Sequence, residues 1–393
     1  MRGLNSASVD LIYLDPPFNS KANYAAPIGS EAAGAEFKDT WTLRDVDTEW
    51  INLIEAKHPA LHRILLAAMT NSDKSYLAYM APRLLEMHRI LKPTGSIYLH
   101  CDPTMSHYLK LVMDAIWGRK AFRNEVVWCY RKWATNSSQF VRNHDVLLFY
   151  SKSNANVFNI QTVPVGPGTL KRWKGKKQQS VFIEGRRHQV ATQKPAENPC
   201  PDWWEISIIN PNAKERVGYP TQKPLALLER IIRASSNEGD VVLDPFCGCA
   251  TTCVAAEIEN RQWVGIDISA KAHELVGQRL NKEVNLGERK QVGDHTPMFG
   301  TAIHRRDIPR RTDLGKLPPY NCKANRVKLY GEQGGHCNGC EDHFKPQHFE
   351  VDHIIAKGKG GGDHIENLQL LCSNCNRIKG DRGMEYLKTK LQL

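Results

Sequence analysis

The run Val9-Asp10-Leu11-Ile12-Tyr13-Leu14 is short, mostly apolar and rich in β-type residues, and Asp15-Pro16-Pro17-Phe18 stops it. A double proline cannot continue a strand ladder, so the pattern predicts a strand over 9–14 that presents Asp15 at its carboxyl edge. Positions 20–72 show no clear period. Ser75 to Leu91 then carries Leu77, Met80, Leu84, Leu85, Met87 and Leu91 at helical spacing, with Pro82 a candidate kink. Lys92-Pro93-Thr94-Gly95 reads as a turn into a strand, Ser96 to His100, followed by a helix from about Met105 to Trp117. The pattern breaks down from about 150 to 218. It returns with a helix from Pro224 to Ala234, a strand Val241-Val242-Leu243, a glycine-containing turn, a helix from Thr251 to Glu257, a strand from Trp263 to Ile266 and a helix from Ala270 to Leu280. Alternation of this kind predicts an α/β layer with a βαβ unit near its end.

A chain of 393 residues has room for two or three domains at about 100–200 residues each. With 41% hydrophobic and 24% charged residues it is not disordered as a whole. A formal net charge of +11 favours a polyanionic partner. No apolar run approaches the ~18 residues of a membrane span, and the first residues lack the apolar stretch of a secretory signal, so the expectation is a cytoplasmic protein with no membrane partner. Of eleven cysteines, four form two Cys-x-x-Cys pairs and the rest are scattered, which suggests reduced thiols plus a metal site. Residues 286–318 are polar, basic and dotted with proline, and read as a linker between a domain at 1–285 and a smaller one at 319–393. Lys171, Arg172, Lys174, Lys176, Lys177, Arg186 and Arg187 face a single acid, Glu184, with Trp173 among them. Such a cluster fits a solvated loop or a DNA-contacting insertion, where cations meet phosphates and aromatics stack.

Two segments carry chemistry at strand ends. Asp244-Pro245-Phe246-Cys247-Gly248-Cys249 closes one strand and opens a helix, and Asp267 closes the next strand about 20 residues on, the spacing at which an acid meets ribose hydroxyls. Gly248 lets a backbone approach a ligand closely. No Gly-x-Gly-x-x-Gly is present to seat a pyrophosphate, so a nucleoside ligand such as S-adenosylmethionine suits the loop better than a dinucleotide. Asp15-Pro16-Pro17-Phe18 suits an exocyclic base amine, whose lone pair is delocalised into the ring. A carboxylate and a neighbouring carbonyl can accept both N–H bonds and favour the pyramidal nitrogen, while the aromatic stacks on a base extruded from the duplex.

Val9–Phe18, Lys92–Asp102, Tyr219–Pro224, Asp244–Thr252 and Gly265–Asp267 together resemble the amino-methylating (N6-adenine or N4-cytosine) DNA methyltransferases of bacteria and phages. The motif order is that of the circularly permuted β class, in which the catalytic motif precedes the cofactor loop. The resemblance implies a Rossmann-like, S-adenosylmethionine-dependent methyltransferase acting on double-stranded DNA in a bacterial or phage-infected cell. It assigns the target amine to Asp15 and Pro16, with Pro17 shaping the turn, and the flipped base to Phe18. The cofactor falls to Asp244, Phe246, Gly248 and Asp267, with Thr221 and Lys223 nearby, and target recognition to an insertion at about 152–215. Aspartate in the first motif position implies N6-adenine, with N4-cytosine the alternative. Ala250 stands where the family carries glycine, and is expected to crowd the methionine moiety. The family usually has a further strand and acidic turn before the first motif strand, which begins here at Val9. C5-cytosine methylation through Cys200 is disfavoured, because Pro201 follows it and no strand precedes it.

Cys337, Cys340, Cys372 and Cys375 have the spacing of a closed structural Zn²⁺ site. Around them, Asp352-His353, Asn367 and Asn376 resemble the HNH endonucleases, the ββα-metal nuclease family, over about 320–386. That resemblance makes His353 the base, Asn367 its orienting partner, and Asp352 and Asn376 ligands of Mg²⁺ or a similar ion. The expectation is therefore a restriction–modification-like enzyme with two sites. The alternatives are a methyltransferase with a non-cleaving HNH module, or a nuclease carrying an incomplete methyltransferase domain.

Overall fold

The computed structural model describes residues 1, 4–27, 30–33, 35–42, 54, 55, 57–132, 138, 140–267, 269–284 and 317–391, so the expected linker lies almost wholly outside the described residues. In chain order the strands are β1 (Val9–Leu14), β2 (Asn23–Ala25), β3 (Glu36–Lys38), β4 (Leu91–Cys101), β5 (Phe122–Cys129), β6 (His144–Ser151), β7 (Thr162–Pro164), β8 (Lys176–Ile183), β9 (Arg186–Pro195), β10 (Glu197–Pro199), β11 (Trp203–Glu205), β12 (Val241–Asp244), β13 (Gln262–Gly265), β14 (Phe349–His353) and β15 (Leu368–Cys372). The helices are α1 (Pro59–Ala67), α2 (Asn71–Ile90), α3 (Ser106–Trp117), α4 (Pro167–Arg172), α5 (Leu225–Ser235), α6 (Thr251–Ile258), α7 (Ala270–Val284), α8 (Lys323–Glu332), α9 (Ser373–Lys379) and α10 (Met384–Leu391).

Seven strands form one mixed sheet in the order β11-β5-β6-β4-β1-β12-β13. β1 lies parallel to both β4 and β12, β12 is parallel to β13, and β6 runs antiparallel between β4 and β5. Every residue of β1 is buried, because both sheet faces are covered, and this explains its continuous apolar run. Ile12 and Leu14 join the core beneath α1, α2 and α3. Leu11 and Tyr13 join the opposite core with α5, α6 and α7.

The α/β layer and the parallel βαβ unit at 241–265 are as the sequence predicts. Helix α2 starts earlier than expected, at a Thr70 cap whose side chain accepts from the Asp73 N–H, and runs through Pro82 without ending. The expected turn at 92–95 is instead a bulge inside β4. Val9 pairs with Leu91 while Leu11 already pairs with Ser96, and Asp10 ties the bulge down by accepting from Lys92 Nζ (2.8 Å) and the Val241 N–H (2.9 Å). The segment without a readable period holds β7 to β11. Within it β8 and β9 form a separate two-stranded ribbon, turned at Glu184 and Gly185 in left-handed backbone. Past 317, β14 and β15 pair antiparallel, with α8 and α9 against them, around their own small core. Among the described residues no helix is long and apolar enough to cross a membrane.

Candidate functional site

Strand β1 leads toward β4 on one side of the sheet, while β12 leads through α6 to β13 on the other. The chain therefore reverses its winding between β1 and β12, and at such a point the loops diverge and leave a crevice beyond the carboxyl ends of the strands. Asp15 follows β1 and Asp244 ends β12, so both open into that crevice. It is a cavity of about 320 Å³, within the ~300–1,000 Å³ typical of small-molecule sites. Asp15, Pro16, Pro17, Phe18, Thr221, Lys223, Asp244, Phe246, Gly248 and Asp267 all line it.

At one end, Lys223 Nζ donates to Asp15 Oδ2 and to the Thr221 carbonyl (3.3 Å). The other oxygen, Asp15 Oδ1, is buried without a hydrogen-bond partner among the described residues. A buried lone pair left open is costly, which marks it as an acceptor awaiting a donor. The Phe18 ring lies 5.5 Å from His100 and 5.3 Å from Lys223 Nζ. Asp39, which follows β3, holds this loop in place. Its carboxylate accepts the N–H groups of Phe18 (3.2 Å), Asn19 (2.7 Å) and Ser20 (2.8 Å), and the Trp41 indole N–H (3.2 Å). The clamp stabilises left-handed backbone at Asn19 (φ 61°) and Lys21 (φ 61°).

At the other end, Asp244 accepts from Thr252 Oγ1 (2.5 Å) and the Phe246 N–H (3.0 Å). Burial dominates these bonds and raises its carboxyl to about 7. Gly248 takes φ +49°, and a Cβ there would meet the Tyr219 ring at 3.0 Å. Asp267 accepts from the Gly248 N–H (2.9 Å) and the Ser269 N–H (2.8 Å), joining the two strand-end loops. Buried Arg279 on α7 donates to the Cys249 carbonyl (2.8 Å) and Thr251 Oγ1 (2.9 Å), fixing the loop from behind. Ala250 does not crowd the cavity as expected. It is fully buried in the core under α6 and absent from the cavity wall. Its cost is the backbone, at φ +62°. Left-handed geometry costs ~1–2 kcal/mol, and burying one methyl returns ~0.8 kcal/mol.

Lys171, Arg172, Lys174, Lys176, Lys177, Arg186 and Arg187 lie outside this cavity, on α4, the following turn and the β8–β9 ribbon, all exposed.

In the C-terminal unit the Sγ atoms of Cys337, Cys340, Cys372 and Cys375 lie within 4.8 Å of one another. Thiolates ~2.3 Å from a tetrahedral zinc would stand about 3.8 Å apart, so the cluster is near that shape. Cys337 Sγ accepts the N–H groups of Gly339 (3.3 Å) and Cys372 (3.1 Å), a setting that suits a thiolate. His353 ends β14, with its ring tilted against Tyr320 at a centroid distance of 4.5 Å. Asn367 does not orient the imidazole directly. Its side chain accepts from the Ile355 N–H (2.8 Å) and donates to the Ile355 (3.0 Å) and Gly362 (2.9 Å) carbonyls, staking the glycine-rich loop. The partner of His353 is Asp363, 2.7 Å from Nε2. Asp352 Oδ2 accepts from buried Lys379 (2.8 Å) and Gln369 (2.8 Å), and Asn376 donates to Glu350 (2.5 Å). Three partners are not legible along the chain: Asp39 lies in the aperiodic stretch 20–72, Asp145 heads an apolar run, and Asp363 ends a glycine-rich segment between motif residues. The sequence marks His100 only as the end of a strand.

A profile of the family described as DNA methylase, grouping N6 and N4 enzymes, matches residues 9–278, and one described as HNH endonuclease matches residues 337–382. The chain is 29% identical over 286 residues to Type II methyltransferase M.HpaI of Haemophilus parainfluenzae, covering 72% of each. It is 32% identical over 294 residues to Type II methyltransferase M1.MboII of Moraxella bovis, covering 72% of this chain and 93% of that one. With DNA adenine methyltransferase YhdJ of Escherichia coli (strain K12) it shares 25% identity over 317 residues, 76% of this chain and 90% of the relative. Among solved structures, PvuII DNA methyltransferase (cytosine-N4-specific) aligns with 15% identity and a TM-score of 0.39, covering 69% of this chain and 80% of that one.

Proposed function

The chain belongs to the N6/N4 DNA methylase family, and on that footing we propose that it methylates the N6 amine of adenine in double-stranded DNA and that its HNH unit hydrolyses DNA. The observation that carries the first reading is the buried, unpartnered Asp15 Oδ1 in a cavity whose far end is Asp244, Gly248 and Asp267. These residues fit S-adenosylmethionine: Gly248 leaves space that a side chain would fill, and Asp267 offers carboxylate oxygens to ribose hydroxyls. That cofactor supplies a methyl group on a positively charged sulfur, already activated for transfer.

The chain's own part is positioning. Asp15 Oδ1 and the Pro16 carbonyl accept the two amine N–H bonds, so the nitrogen lone pair is freed toward the cofactor end. Lys223 holds Asp15 in place through its hydrogen bond, Pro17 stiffens the turn, and Phe18 stacks on the extruded base. Aspartate at the head of the motif supports adenine over cytosine, and the relative named an adenine methyltransferase supports it too. The basic ribbon and α4 track phosphates. In the C-terminal unit Zn²⁺ is held by the four cysteines and closes the fold. The oxygen donors of Asp352 and Asn376 suit Mg²⁺ or a similar ion, and His353 is the base. The organisation we propose is a methyltransferase at 1–285 with its target insertion at about 152–215, a linker at 286–318 and a nuclease at 319–393, working in the cytoplasm.

The deciding experiment is nucleoside mass spectrometry on unmethylated DNA incubated with the protein and S-adenosylmethionine, alongside a cleavage assay with Mg²⁺. N6-methyladenine that disappears in Asp15→Ala, with cleavage that disappears only in His353→Ala, is the expected result. N4-methylcytosine overturns the choice of base. Cutting that persists in His353→Ala overturns the choice of nuclease base.

A further inference from the structure

Behind Asp15 lies a polar group that methyl transfer as described above does not use. His100, on β4, is fully buried among Tyr13, Phe18 and Trp128. Its Nε2 is 3.2 Å from Asp145 Oδ2 on β6, and its Nδ1 is 2.8 Å from the Tyr13 hydroxyl and 3.7 Å from Asp15 Oδ1. The Tyr130 hydroxyl donates to Asp145 Oδ1 (3.1 Å). Burial by itself would raise Asp145, but its hydrogen bond to His100, the Lys223 charge and the Tyr130 hydroxyl hold it below its ordinary value. An ionised Asp145 accepts a hydrogen bond from the Nε2–H, and Tyr13, whose burial keeps it protonated, donates to Nδ1. The one ring lone pair, on Nδ1, thus accepts from Tyr13 and lies 3.7 Å from Asp15 Oδ1.

We propose that His100, backed by Asp145, is the relay that draws off the proton which the methylated amine must lose. The inference rests on the reading of Asp15 given above. When the N–C bond forms and the S–C bond breaks, the electron pair stays on sulfur and the nitrogen is left cationic with one proton too many. That proton passes to Asp15 Oδ1 and then to His100 Nδ1, as the Tyr13 hydroxyl turns from donor to acceptor. The imidazolium so formed is paired with the Asp145 carboxylate, whose side chain is 16% exposed and can return the proton to solvent. The 3.7 Å gap has to close by under 1 Å once a base is bound, and catalytic hydrogen bonds commonly tighten in this way. His100 thus acts through Asp15 rather than on the amine itself.

The test is single-turnover methyl transfer from radiolabelled S-adenosylmethionine to unmethylated DNA, enzyme in excess, from pH 5.5 to 9. His100→Gln and Asp145→Asn should each slow transfer at least about tenfold, less than the ~10²–10⁴-fold of a base that acts directly, because His100 acts through Asp15. Cofactor and DNA affinities should stay within about twofold, and the double variant should be no slower than the slower single. The groups facing the imidazole are Tyr13 and Asp15 beside β1, Asp145 on β6, Tyr130 after β5, and Lys223 across Asp15. Of the two variants, Asp145→Asn should move the acid limb of the rate profile to lower pH, because the imidazole loses a facing carboxylate and becomes less basic. Unchanged rates overturn the relay, as does a loss confined to His100→Gln, an acid limb that stays put, or a fall in DNA binding that matches the fall in rate. Circular dichroism melts of each variant separate unfolding from a kinetic loss. If Asp15→Ala still methylates, the reading of Asp15 itself has failed, whatever His100 does.

Discussion

Asp39 is a single carboxylate that organises a loop. It is 1% exposed and accepts three consecutive backbone N–H groups and an indole N–H. Asp39→Ala strips all four donors of their acceptor. We expect a loss of ~2–4 kcal/mol in denaturant unfolding and a methyl-transfer rate down tenfold or more, with Asp39→Asn milder because it keeps one acceptor oxygen. A melt and a rate equal to the parent's would show that the clamp is idle. Asp244 gives a pH signature. Burial raises it to about 7 in the folded chain, whereas in the unfolded chain it titrates near ~3.9. Between those values the folded state holds a proton that the unfolded state has released, so this residue's contribution to stability falls as pH rises across the window. Thermal melts from pH 4 to 8 should show Asp244→Asn losing less stability than the parent as pH climbs; parallel curves would refute the assignment.

At the scale of elements, the β8–β9 ribbon pairs only with itself and adds no residue to either core among the described residues, so its exposed cations face solvent and a partner. A two-stranded ribbon is narrow enough for a major groove. Replacing Lys176, Lys177, Arg186 and Arg187 with alanine should weaken DNA binding and flatten its salt dependence by up to about 3–4 units of log–log slope, at ~0.9 per phosphate released. Melting of the protein should not change. An unaltered slope in a titration from 50 to 300 mM salt would place the phosphate contacts elsewhere. The ribbon also shows why 150–218 resists reading. Strands exposed on both faces need no hydrophobic alternation, so periodicity carries no signal there.

At the scale of the molecule, two large cores flank the seven-stranded sheet, whereas the C-terminal unit has one small core around its four cysteines. A unit of that size rarely holds together on apolar burial alone, and a metal bound by the four cysteines would supply the rest. Chelation by 1,10-phenanthroline, or Cys337→Ser, should therefore remove the C-terminal transition in calorimetry and leave the sheet's transition in place. A single transition shifted as a whole would mean that the two parts unfold together.

The strand ends of this protein were readable directly because buried parallel strands are continuous apolar runs and prolines end them. Asp15 and Asp244 could thus be placed at strand termini, and the four cysteines grouped as a cluster, from residue type and local spacing. Strands β5 and β6 went unassigned, although they complete the sheet. What local spacing could not decide is which distant groups share a cavity. His100 reaches Asp15 because β4 pairs beside β1, Asp145 reaches His100 because β6 pairs beside β4, and Lys223 arrives from a loop more than two hundred positions away. Similarly, Ala250 faces the core and Asp363, not Asn367, meets His353. Those facts depend on strand order and loop closure, and both are settled by packing of the whole chain rather than by any window along it.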